Sequence, residues 1–221
     1  MAKVISKKDS IESQGQGNSG SKILDLSKSY LVRFTIKGTS DMLFNRFIIE
    51  ETEAKSSSKK GSSKRMVDDL EGKLFRCENG NIGLPAEYVH SSMRNSAKSW
   101  KDPRNTRKGA YELFKSGIVW STGHELADLG MKDHDEDRRS VVNPSTRGRI
   151  VRARPLIRQG WEATFEFEVL AAEYINDTGA DGSIDFQEVL SEAGRFNGVG
   201  DYRPMYGRFK VVHYELVKLE D

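Results

Sequence analysis

The sequence predicts an α+β protein, and three observations carry that prediction. One strictly alternating apolar run lies early in the chain, two later stretches have helical period, and further extended runs lie between and after them. Tyr30, Val32, Phe34 and Ile36 alternate with Leu31, Arg33, Thr35 and Lys37, the two-residue period of a strand with one buried face. In residues 73–84 (KLFRCENGNIGL), Asn79 and Gly80 supply the positive φ of a tight hairpin turn. Pro85 sits at a helix start, and Val89, Met93, Ala97 and Trp100 follow at spacings of four, four and three as one apolar stripe.

Residues 148–157 (GRIVRARPLI) and 161–170 (WEATFEFEVL) flank Arg158, Gln159 and Gly160, and the second run alternates strictly from Trp161 to Val169. The pair reads as a hairpin. Phe186, Val189, Leu190 and Ala193 form a second helical stripe, with Asp185 as its N-cap and Gly194 as its stop. Residues 206–219 return to an extended pattern. In order these elements run β, α, β, β, α, β, the split βαβ arrangement of a ferredoxin-like or RRM-like core. Residues 29–221 are expected to form this one domain, with two long insertions at 40–84 and 101–147. Right-handed crossovers put both helices on one face of the sheet and leave the other open, the kind of face on which RNA-recognition domains hold single strands.

The 221 residues include 35 basic and 33 acidic side chains, a net charge of +2 that excludes a polycation of the histone type. The 36% hydrophobic content supports a core, while the 31% charged content implies long polar insertions. Cys77 is the only cysteine, so no internal disulfide or multi-thiolate metal site can form, and no cofactor or metal is expected. No run approaches the roughly 20 apolar residues of a membrane span, and a cytoplasmic protein is expected. Residues 1–22 are Ser, Gly, Gln and Lys with little to bury and predict a disordered leader that runs to residue 28. Residues 54–65 (AKSSSKKGSSKR) predict a mobile basic loop, and residues 101–108 and 132–139 read as irregular.

Residues 198–209 (GVGDYRPMYGRF) carry the most chemistry. Gly198 and Gly200 can take positive φ and present successive amide N–H groups as a concavity for phosphate. Gly207 would hold backbone beside them. Arg203 and Arg208 add charge, and Tyr202 or Tyr206 offers a surface for base stacking. The stretch follows a helix instead of joining a strand to a helix, which argues against a dinucleotide fingerprint.

GVGDYRPMYGRF resembles the C-terminal glycine-rich loop of the repeat-associated mysterious protein (RAMP) superfamily, the RNA-binding subunits of CRISPR effector complexes. Residues 84–98 (LPAEYVHSSMRNSAK) are similar to that superfamily's small-residue helix opening, with Arg94 at its arginine, and YLVRFTIKGTSDMLFNRF resembles its first strand and turn. Glu87, His90 and Ser91 depart from the superfamily pattern. The resemblance implies binding of single-stranded RNA or DNA, with RNA preferred. It also implies homo-oligomeric assembly along the strand through a loop in one of the insertions, and is compatible with a divergent, phage-encoded relative.

Arg138, Arg139, Arg147, Arg149, Arg152 and Arg154 lie within 17 positions that contain no acid. Arg147 and Arg149 are candidate nucleic-acid contacts. Arg152 and Arg154 share a strand face and either meet phosphates or, if the hairpin closes tightly, Arg152 pairs with Glu166. Residues 177–188 (DTGADGSIDFQE) follow the spacing of a calcium loop, with Asp177, Asp181, Asp185 and Glu188 at ligand positions, but Gly179 stands where a third ligand belongs. A turn with Asp185 as helix cap is the competing interpretation. The four histidines are scattered; His134 lies among acids that read as a solvated loop.

The sequence therefore predicts a non-catalytic, single-stranded nucleic-acid-binding protein. Gly198, Gly200, Arg203 and Gly207 hold backbone, Arg208, Arg147, Arg149 and Arg94 supply charge, and Tyr202 or Tyr206 stacks. The alternatives are a metal-independent endoribonuclease using His90 or a loop residue, and an interaction protein of phage origin that mimics a CRISPR subunit.

Overall fold

The computed structural model describes residues 29–47, 69–142, 147–179 and 182–217. The expected leader and the basic loop 54–65 lie outside the described residues, as does Asp181 of the calcium-like stretch. Along the chain come β1 (Tyr30–Gly38), β2 (Met42–Leu43), β3 (Gly83–Pro85), α1 (Ala86–Ser96), β4 (Lys101–Asp102), β5 (Asn105–Gly109), α2 (Tyr111–Gly117) and β6 (Ile118–Trp120). These are followed by β7 (Leu126–Asp128), β8 (Asp135–Val142), β9 (Arg149–Ile157), β10 (Glu162–Val169), β11 (Ile175–Asn176), β12 (Ile184–Asp185), α3 (Phe186–Glu192) and β13 (Phe209–Val217). The chain is α+β, as expected, and no helix among the described residues is long and apolar enough to cross a membrane.

The largest sheet has the order β13-β1-β10-β6, with every neighbour antiparallel. Its inner face is the one the alternation of β1 predicts: Val32, Phe34 and Ile36 are fully buried. The Phe34 ring lies 5.5 Å from Phe167 and 6.2 Å from Phe186 of α3, and Phe167 lies 6.4 Å from His90 of α1, so both helices cover this face. Burial of side chains of this size contributes roughly 1.5–3 kcal/mol each. The outer face is charged and self-paired. Arg33 bridges Glu166 at 2.8 Å and Glu215 at 3.2 Å, and Lys37 meets Glu162 at 2.7 Å.

Two expectations about this sheet are corrected. Residues 148–157 and 161–170 do not pair as a hairpin: β10 joins β1 and β6, while β9 joins β8 and β2. The strand beside β10 is β6, from within the segment 101–147 expected as an insertion. β6 is only three residues long, too short for its alternation to register, and α2 before it buries just Leu113, Phe114 and Gly117. Likewise residues 101–108 and 132–139 are not irregular: Lys101–Asp102 pairs with Asn105–Gly109, and Asp135–Val142 is a full strand. Gly194 is not the stop of α3 either. The helix runs into a π-helical turn, Ala193–Asn197, and Gly198 ends it at φ 71°.

β8 and β9 form an eight-pair antiparallel arm from Asp135↔Leu156 to Val142↔Arg149. Its base is buried at Leu156 and Ile157, where β2 adds two pairs. Its far end is open to solvent, with Val142 58% and Val151 63% exposed. Loop 198–208 is clamped beside the arm's base. Gly207 N–H donates to Asp41 O at 2.8 Å, Asp201 N–H to Leu43 O at 2.8 Å, and Arg208 N–H to Ser40 Oγ at 2.9 Å. A Cβ on Gly207 would stand 1.7 Å from Val199 O, and one on Gly200 would stand 2.5 Å from Leu43 O. Both are at positive φ, so glycine is required twice over.

Beneath the calcium-like stretch, Tyr214 of β13 donates its hydroxyl to Asp177, and Asp185 accepts from Glu188 N–H at 2.9 Å as the cap of α3. Burial pushes the Asp177 carboxyl above the ordinary carboxylate range. A folded-state value above the unfolded one means the native state holds the extra proton, so this group's contribution is most favourable below the unfolded value and declines as pH rises through the raised one.

These contacts set two expectations for stability. Gly207→Ala should cost about 3 kcal/mol or more in denaturant unfolding, whereas Gly80→Ala, at φ 81° with open space around it, should cost about 1–2 kcal/mol. Asp177→Asn should raise the thermal midpoint at pH 7 and lose that advantage as the buffer is taken below about pH 4.

Candidate nucleic-acid interface

Most amide groups of the glycine-rich loop, those of Gly198, Val199, Asp201, Tyr202, Tyr206, Gly207 and Arg208, are spent inside the protein. Gly198 N–H donates to Ala193 O at 2.8 Å, Val199 N–H to Gly207 O at 2.9 Å, and Tyr202 N–H to Asp201 Oδ1 at 2.9 Å. Those of Asp201, Gly207 and Arg208 form the clamp described above. Gly198, Val199 and Gly207 are buried. The expected phosphate concavity of Gly198, Gly200 and Gly207 is therefore corrected: the amides of Gly198 and Gly207 are bonded within the protein, and at Gly200 and Gly207 the missing side chain permits backbone to approach backbone. The expected open-sheet platform is corrected too, because the outer face of β1, β10 and β13 carries the Arg33, Lys37, Glu162, Glu166 and Glu215 network and, among the described residues, no Phe, Tyr or Trp.

What the loop presents is its two tyrosines, and they face the arm. Tyr202 is held at φ 56°. The Arg154 guanidinium lies 4.6 Å from the Tyr202 ring centre, and Arg139 lies 5.1 Å from Tyr202 and 5.0 Å from Tyr206. Arg139 also donates to the Tyr206 hydroxyl at 2.6 Å and pairs with Asp137, and these hydrogen bonds hold its guanidinium charged well past its ordinary value. Arg154 Nε meets Asp201 at 2.6 Å, while its buried Nη1 has no hydrogen-bond partner among the described residues. The tyrosine faces expected to stack bases are thus already stacked by arginine, which leaves Tyr202 37% exposed at the edge of a fixed guanidinium-aromatic cluster.

Arg147 and Arg149 are exposed at the open end of the arm, and Arg149 is about 17 Å from Arg154 at some 3.3 Å per strand residue. Neither has an ion-pair partner among the described residues. Arg152 stands directly across from Arg139, and Glu166 belongs to Arg33, so the alternative pairing of Arg152 with Glu166 is corrected. Arg203 is exposed and lines two adjoining hollows of about 240 Å³ and about 420 Å³, bounded by Tyr88, Ser91 and Asn95 of α1 and by Phe196 and Asn197. Arg208 is anchored through its backbone and its side chain is exposed. Arg94 is set apart from the loop cluster, its guanidinium over Tyr111 of α2 at 5.9 Å.

The sequence reading put Tyr202 and Tyr206 on one loop and missed Arg139 as the partner of both rings. The usable signal was the alternation of Asp135, Asp137, Arg139 and Val141, which the density of charge concealed as a loop. His90 is a core residue: it is 6% exposed, its Nε2 lies 2.9 Å from Phe114 O, and burial pushes it below its ordinary value. Asp41 accepts from Gln159 N–H at 2.7 Å and meets Arg158 at 3.2 Å, fixing the base of the arm. His134 contacts Glu71 at 3.2 Å, and no group of three potential metal ligands occurs among the described residues.

No protein-family model and no curated protein matches this sequence. Among solved structures, the chain is similar to a chain in the cryo-EM structure of the type III-B Cmr-beta bound to cognate target RNA, at 11% identity and a TM-score of 0.48, over 86% of this chain and 61% of that one.

Proposed function

We propose that this chain binds single-stranded nucleic acid, RNA in preference to DNA, without cleaving it, and does so along the β8–β9 arm and the loop cluster at its base. One observation carries the proposal: an arm with six arginines and no acid between residues 138 and 154 is fixed by its own guanidinium groups onto Tyr202 and Tyr206. A concentration of guanidinium beside exposed aromatic edges suits a flexible polyanion with π-faces, since phosphate and base can both be met. Arg147, Arg149, Arg203 and Arg208 take phosphates, and the hollow lined by Phe196, Asn197 and Asn95 receives a base. Burial of His90 disfavours it as the catalytic residue of the endoribonuclease alternative, because a general acid or base must reach the strand.

Resemblance to the RAMP superfamily supports the same reading and adds assembly of copies along one strand, for which the solvent-exposed arm is the element that reaches outward. Binding should then be cooperative and strongly salt-dependent.

In a fluorescence-anisotropy titration at about 50 mM salt, Arg147→Glu with Arg149→Glu should weaken binding to labelled single-stranded RNA at least tenfold. The slope of log K against log salt should become shallower by roughly 0.7 for each phosphate that the variant no longer neutralises. Intact RNA should be recovered with and without EDTA. Absence of binding by the unaltered protein at this salt would overturn the proposal and leave the interaction-protein alternative ahead.

A further inference from the structure

We infer that the β4–β5 hairpin, with Lys98 and Tyr111, forms a second phosphate-contacting surface that lengthens the stretch of single strand one chain can hold; this rests on the proposed function. Residues 94–115 contain Arg94, Lys98, Lys101, Arg104, Arg107, Lys108 and Lys115 against only Asp102 and Glu112. Both acids are spent locally. Asp102, 5% exposed, takes Arg104 through Nε at 3.0 Å and Nη2 at 2.8 Å, and Glu112 pairs with Lys115 at 3.6 Å. Among the described residues no carboxylate pairs with Arg94, Lys98, Lys101, Arg107 or Lys108.

The cations are held together by the fold. Ala110 N–H donates to Ala97 O at 3.0 Å and to Trp100 O at 2.9 Å, and a Cβ on Gly109 would stand 2.5 Å from Lys98 O, so the hairpin's base presses on the end of the first helix. Lys98 Nζ lies 4.9 Å and Arg94 Cζ 5.9 Å from the Tyr111 ring centre. Two like charges at i and i+4 repel, and Arg94 Nε is buried without a hydrogen-bond partner among the described residues. The carbonyl end of the helix favours cations and accounts for part of this at Arg94 and Lys98. It does not account for Arg107 and Lys108, which lie on a strand exposed at all five residues. Such a concentration calls for an external anion. Asn95, which lines the hollow beside Arg203, and Arg94 and Lys98, which meet Tyr111, all lie at the end of the first helix, so the hollow and the hairpin flank the same helix end.

The test compares labelled single-stranded RNAs of about 8 and about 30 nucleotides, the range over which a single-strand site is filled and exceeded. Lys101→Glu, Arg107→Glu and Lys108→Glu together should lower affinity for the long strand about tenfold or more at low salt. The short strand should change less than about twofold, and the long-strand salt slope should fall by about 2. The glutamine versions of the three should act in the same direction, which covers a failure of the glutamates to fold. Lys210→Glu on the outer sheet face should change neither affinity; if it matches Lys108→Glu alone, the effect is one of net charge and the inference falls. Unchanged long-strand affinity in the triple variants overturns it too, while the arm variants still report on the proposed function. Failure of the unaltered protein to bind either strand removes both.

Discussion

Residues 39–44 are the segment on which the candidate interface depends, because the same few peptide groups hold both of its halves. Thr39 N–H donates to Arg208 O and Phe44 N–H to Pro155 O, while Asp41 O and Leu43 O accept from the glycine-rich loop. Met42 and Leu43 also pair with Ile157 and Leu156 at the base of the arm. Each of these bonds contributes about 0.5–1.5 kcal/mol net, and leaving such a buried group unpaired costs about 1–3 kcal/mol. Loop and arm therefore cannot drift apart singly. The tyrosines meet the arginines because two backbone segments share one support, and the glycines permit that sharing by letting carbonyls stand where a Cβ would.

Arginine suits this junction better than lysine. Arg139 stacks on two rings, donates to a hydroxyl and pairs with Asp137 at once, which a planar guanidinium with several donors allows and a point-like ammonium does not. The same arrangement sets up a gradient of neutralisation along the arm. At its base Asp135 meets Arg158, Asp137 meets Arg139, and Asp201 meets Arg154. Toward the open end Arg147 and Arg149 have no such partner among the described residues. Charges near the base chiefly build the structure, and those beyond them are available to a ligand.

Elements with a clean period and one buried face were legible in the sequence. β1, the first helix and the start of the helix after Asp185 stand where their patterns place them, and the final strand lies within its expected stretch but begins at Phe209, because Tyr206–Arg208 belong to the glycine-rich loop. The pairing of 148–157 with 161–170 was misread because proximity in sequence and a glycine at Gly160 favour a hairpin, whereas β10 pairs with β1 along its length and with β6 at Phe167–Val169, and β9 spends its own two edges on β8 and β2. The arm's first strand was hidden because an exposed strand has no apolar face to repeat, and its charges read as a solvated loop. At the site, residue types were legible and their roles were not. Glycine at positive φ looks the same in sequence whether it bares an amide to an anion or lets a carbonyl approach, and only the partners of the N–H groups separate the two.

A net charge of +2 gives little sense of the field a ligand meets. On the outer face of the large sheet Glu166 and Glu215 are matched by Arg33 and Glu162 by Lys37, and the acids of residues 135–137 are spent at the base of the arm, so among the described residues unpaired positive charge is concentrated in patches. At about 0.1 M salt the screening length is about 10 Å, shorter than the roughly 17 Å between the Arg154 cluster and Arg149. The end of the arm and its base therefore do not act as one long-range field under such conditions. They cooperate only through a ligand long and flexible enough to touch both, which favours an extended polyanion over a compact one and ties whatever affinity the arm supplies to direct contact with it.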